Sequence, residues 1–150
     1  MSMLQSYPRL FTQPWMTQIV PIVLRVLVGV MMIYHGTPKV FEGTAGMAEH
    51  LASRGWPLPG LLSMMTAYLE FVGGILLAVG FLTRPIALAI AVLFFIITFV
   101  FHGGDPFSDK ELALLYLILS ICVALFGPGR ISVDHYVITR TAAPAQDERA

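Results

Sequence analysis

Arg25 and Glu70 are where chemistry first becomes legible, because each lies inside a long apolar stretch. An ionisable group within a membrane span costs roughly 2.5–3.5 kcal/mol on insertion scales, so it turns toward the protein interior, takes a partner and often marks function. Arg25, Gly29, Met32 and Gly36 recur at intervals of four, three and four, which is one helical face. Gly73 and Gly74 follow Glu70 on a similar face. Small residues let helices approach closely, so both faces are expected to point inward. At about 1.5 Å per residue the two charges differ in depth by about 8 Å, within reach of an extended arginine. Arg25 and Glu70 are therefore expected to face each other, either as a salt bridge fixing helix register or as the centre of a functional core.

A second group gathers where the apolar stretches end. His35, Lys39 four residues later, His102 and Glu111 all fall at one expected membrane face, with Glu70 deeper. Histidine exchanges protons near neutral pH and carboxylates relay them. Glu70, His35, His102 and Glu111 are thus the candidate proton-handling residues, and Arg25, Lys39, Tyr34 and Tyr68 the candidate headgroup-binding ones. Such a set suits a quinone or quinol, whose redox chemistry moves two protons with two electrons. The plainer reading is interfacial: helix caps, hydrated lysine and glutamate, and tyrosines, Tyr116 among them, at the headgroup level. Two histidines and a carboxylate match a metal site by type but form no spaced motif, so no structural metal is expected.

These residues need elements to hold them. Spans are expected over residues 19–34, 61–82, 85–101 and 112–126, the last short for a hydrocarbon core of about 30 Å and leaving Glu111 at its boundary. A tight Thr83-Arg84 link makes the second and third spans antiparallel. The longer first connection is expected to hold a short helix over residues 45–53, stopped by Pro57 and Pro59. Arg25 interrupts the first stretch and no small-residue cleavage site follows, which argues against a cleaved signal peptide. Arg9, Arg84, Arg130, Arg140 and Arg149 on one side, against Lys39, Arg54 and Lys110 on the other, favour cytoplasmic termini.

Composition agrees: the 150 residues are 57% hydrophobic and 12% charged, against about 45–50% and 25% for soluble domains. Mean hydropathy is +0.78. Nine basic and nine acidic residues balance, so no net field recruits nucleic acid. Cys122 is the only cysteine, which rules out an intrachain disulfide or dithiol. Nucleotide, flavin and hydrolase motifs are missing.

Three blocks carry a resemblance: Leu24-Arg25 through His35-Gly36 and Lys39; Glu70-Phe71-Val72-Gly73-Gly74 through Gly80-Phe81-Leu82-Thr83-Arg84; and Glu111 through Gly127-Pro128-Gly129-Arg130-Ile131-Ser132-Val133-Asp134. Together they resemble the DoxX family of small four-span membrane proteins. The resemblance implies an all-α integral membrane four-helix bundle in a bacterial cytoplasmic (inner) membrane. It also implies an association with redox work, since relatives are linked to quinol oxidase preparations and thiosulfate:quinone oxidoreductase. The expected domain plan is an N-terminal tail (1–17), a membrane domain (18–136) and a C-terminal tail (137–150). The expected function is a quinone-interacting, redox-associated subunit, as of a quinone-linked oxidoreductase, in contact with lipid and with a redox partner protein or further copies of itself. The alternatives are a non-catalytic accessory or assembly subunit and a small transporter.

Overall fold

The computed structural model describes residues 14–141, and their side-chain environments from Gln18. Of the expected tails, 1–17 and 137–150, residues 1–13 and 142–150 lie outside the described residues. Helix α1 spans Pro14–Phe41, α2 Ala45–Ser53, α3 Pro59–Val79, α4 Thr83–Phe95, α5 Phe107–Phe126 and α6 Val133–Thr141. A wider π-helical turn, Ile96–Phe101, continues α4. No strand occurs among the described residues.

Four long helices close a ring, α1 on α3, α3 on α4, α4 on α5 and α5 back on α1. Gln18–Phe41, Pro59–Val79 and Thr83–Phe101 are long and apolar enough to cross a membrane. The fourth long helix, α5, has 20 residues, about 30 Å, but carries Asp109, Lys110 and Glu111 near its start. The fold is therefore an all-α membrane protein. Val28, Met32, Leu77, Ile90, Phe94 and Val123 fill the centre of the ring, while the outer faces expose apolar side chains such as Val23, Val30, Leu88 and Val92 to lipid.

Close approach of α1 and α3 depends on the glycine stripe. A Cβ on Gly29 would lie 2.7 Å from the Gly74 carbonyl oxygen, and one on Gly36 2.5 Å from the Phe71 amide nitrogen. Side chains there would push the backbones apart.

Several boundaries differ from expectation. α1 continues through Pro38 to Phe41, so His35 and Lys39 ride on its last turns. The α3–α4 link is Gly80-Phe81-Leu82, not Thr83-Arg84, which form the first turn of α4. Gly80, at φ 76°, ends α3 in the left-handed conformation, with its own amide and that of Phe81 bonded to carbonyls of the last turn. α6 occupies residues 133–141, part of which was expected as tail. Its start is fixed by Ser132, whose hydroxyl accepts the His135 N–H and donates to the Gly129 carbonyl. α2 fills the expected range.

Candidate functional site

Arg25 and Glu70 do not pair. Arg25, 2% exposed, donates to the carbonyls of Leu77 (3.2 Å), Ala78 (2.8 Å) and Ile131 (2.6 Å). Its charge meets the carbonyl end of α3, where a helix dipole favours a cation, and it ties the segment before α6 to the bundle. Glu70 instead accepts Lys39 Nζ on both oxygens, at 2.7 and 2.5 Å. The reason lies in register. Gly29 abuts Gly74 and Ala78, and Gly36 abuts Phe71, so Arg25 lies level with Gly80, ten residues and about 15 Å along α3 from Glu70. That is about twice the depth difference expected from span edges alone.

The Glu70 side chain is 4% exposed and that of Lys39 27%, so the pair is anchored in the protein and wet only on the lysine side. It lies on the wall of a cavity of about 310 Å³, at the bundle end where α2 packs on α3 and meets the π-helical turn through His50 and Phe101. Polar groups on its lining are Lys39, Glu70, Thr66, His50 and His102; Trp56, Leu93, Ile97, Phe101 and Leu51 make it mostly apolar. His102 is held by its Nδ1, 2.8 Å from an Asp105 oxygen. The same oxygen lies 3.4 Å from both terminal nitrogens of Arg54, which also donates to the Phe101 carbonyl at 2.8 Å and stacks 4.5 Å over the Phe101 ring. Arg54 thereby straps the end of α2 to the end of the π-helical turn. The His102 hydrogen bond, helped by the Arg54 charge, holds the Asp105 carboxyl below its ordinary range against a smaller opposing effect of burial.

The structure thus brings Glu70, Lys39 and His102 together and places the other candidates elsewhere. His35 turns toward α5 and meets Tyr116 edge-on at 5.6 Å. It lies one turn before Lys39 on the same side of α1, and reaches α5 where Lys39 reaches Glu70 on α3. Tyr34 and Tyr68 are 77% and 53% exposed on the outer face, and Glu111 is exposed near the start of α5. None of these four lines the cavity, nor does Arg25.

His50, Trp56 and Thr66 are not among the residues that the sequence marks as candidates. Their signals were present: Met47, His50 and Leu51 form an i, i+3, i+4 face on a short helix, and Thr66 precedes Glu70 by one turn. What was missing was any sign that α2 folds back over the bundle.

A model of the DoxX family matches residues 20–103. The chain belongs to the DoxX family. Two of its relatives are the inner membrane proteins YqjF and YphA of Escherichia coli (strain K12). YqjF is 32% identical over 75% of this chain and 88% of its own length, and YphA 30% identical over 75% and 86%. A third, named "Putative oxidoreductase CatD", from Bacillus subtilis (strain 168), is 32% identical over 77% and 85%. No solved structure matches this DoxX protein significantly. Family and helices together make it an integral inner-membrane protein. The matched segment holds Arg25, Lys39, Glu70 and His102, and with them every residue of the cavity.

Proposed function

We propose that this DoxX protein is a redox-associated membrane protein whose α2-covered cavity holds the headgroup of a membrane quinone or quinol. The observation that carries this reading is the Lys39–Glu70 pair at a mostly apolar cavity of about 310 Å³, a size in the range of small-molecule sites. A quinone offers an apolar ring and two carbonyl acceptors, which fit these walls and donors. Bound there, it supplies two-electron, two-proton redox chemistry.

The chain's residues have separable tasks in this reading. Lys39 spends two N–H groups on Glu70 and has a third to donate to a carbonyl oxygen. Glu70 holds or releases a proton at its carboxylate, in contact with the Lys39 ammonium. Asp105 on Nδ1 orients the His102 ring and leaves Nε2 as the atom that exchanges a proton. Trp56, Leu51 and Phe101 exclude water. With Cys122 the only thiol in the chain, no dithiol carries electrons, so their delivery is assigned to a partner protein. The oxidoreductase name borne by CatD is consistent with this role.

Solvent extraction and mass spectrometry of protein purified in mild detergent tests the proposal. Near-stoichiometric quinone is expected in the native protein and in His35→Ala, which lies outside the cavity, with severalfold loss in Glu70→Gln and in Leu51→Trp, which fills it. Quinone no higher than in unrelated membrane proteins purified alongside would refute the reading.

A further inference from the structure

At the opposite end of the bundle, α6 folds back beside the α3–α4 turn and encloses a groove of about 460 Å³. Phe81 and Leu82 form one wall and Val137 and Ile138 the other, all at least 40% exposed. Arg84 lies on the lining, its guanidinium over Gly127 at the end of α5, where a Cβ would come within 3.3 Å of it. Arg84 makes no hydrogen bond or ion pair among the described residues, and neither does Arg130, two residues beyond the lining Pro128. The groove's carboxylate, Asp134, is already committed: its oxygens accept the N–H groups of Leu82 (2.8 Å) and Thr83 (2.9 Å). Burial raises its pKa, but these bonds and the Arg25 charge outweigh that and hold it below the ordinary value.

We propose that this groove is a binding site for an anionic phospholipid, its phosphate on Arg84 with Arg130 adding positive potential, and an acyl chain lying between Phe81–Leu82 and Val137–Ile138. Two features select a lipid. The apolar walls continue into the lipid-facing surface at Val79 and Leu88, so the occupant has to pass from a charged end into hydrocarbon. Arg84 and Arg130 lie where the Lys/Arg bias assigns the cytoplasmic leaflet, and each such charge is worth about 1 kcal/mol toward anionic lipid. Tyr136, exposed and covered by Arg140 at 4.6 Å, adds an interfacial aromatic beside the groove.

The test is native mass spectrometry of the full chain equilibrated with equal amounts of phosphatidylglycerol and phosphatidylcholine. The native protein is expected to retain phosphatidylglycerol about fivefold over phosphatidylcholine, the ratio corresponding to one such charge. Arg84→Gln lowers the ratio to about twofold or less, the remainder coming from Arg130, Arg84→Lys keeps it within about twofold of native, and Ile138→Asp lowers retention of both lipids. Equal retention by the native protein, an unchanged ratio in Arg84→Gln, or a ratio lost in Arg84→Lys as fully as in Arg84→Gln overturns the proposal. Displacement of phosphatidylglycerol by inorganic phosphate alone also overturns it, because that marks a free-anion site.

Discussion

Lys39 and Glu70 form a pair whose worth depends on both members being present. Removing both charges in favour of apolar side chains is often neutral, whereas removing one strands the other. Lys39→Met leaves Glu70 buried without a cation and is expected to cost about 2–3 kcal/mol, below the roughly 3–5 kcal/mol of a fully buried pair because Lys39 remains partly solvated. Lys39→Met/Glu70→Leu is expected to recover most of that loss. Thermal unfolding in detergent reads both, and purely additive losses would show that the two side chains do not couple. The buried charge itself was legible from sequence, since a glutamate amid apolar residues needs a cation. Which cation was not, because Arg25 and Lys39 both lie on α1 and only helix register separates them.

Between elements, the α1–α3 contact is the most demanding. The atom that a Cβ on Gly36 would strike belongs to the Phe71 backbone, which cannot swing aside as a flexible side chain would. Gly36→Ala is expected to destabilise the protein by about 1–3 kcal/mol through overpacking and, because Phe71 adjoins Glu70, to lower quinone retention too. Gly46→Ala, in open space on α2, is expected to be neutral or stabilising by up to about 1 kcal/mol. Paired melting curves decide this; similar losses in both variants would deny the contact its special role. The glycine stripe was readable because helical spacing places 29 and 36 on one face. α6 was not, since Val133–Thr141 is too polar to stand out as a span and too short to stand out as a helix.

Across the whole molecule, charge is divided between the two ends. Glu42, Glu49, Asp105, Asp109 and Glu111 outnumber Lys39, Arg54 and Lys110 at the cavity end, and Arg84, Arg130 and Arg140 outnumber Asp134 at the α6 end. The Lys/Arg bias assigns the α6 end to the cytoplasm, which predicts that the cavity opens on the outer side of the membrane. In a Cys122→Ser background, Asp109→Cys is expected to react with a membrane-impermeant maleimide in intact cells, and Arg130→Cys only after permeabilisation; the reverse pattern would invert the orientation. Both positions are exposed, so reagent access is limited by the membrane alone.

Membrane class, helical content, the inward glycine faces and the need of Glu70 for a counterion were determined by the sequence, because apolar length, helical period and the cost of an unpaired charge in hydrocarbon are local or additive properties. The partners of Arg25 and Glu70, the turn of His35 toward α5, and the gathering of His50, Trp56, Thr66 and His102 were decided only in three dimensions. Each depends on the axial offset of α1 against α3, which sets Arg25 about 15 Å from Glu70, and on α2 folding over the bundle, neither of which helical period alone prescribes.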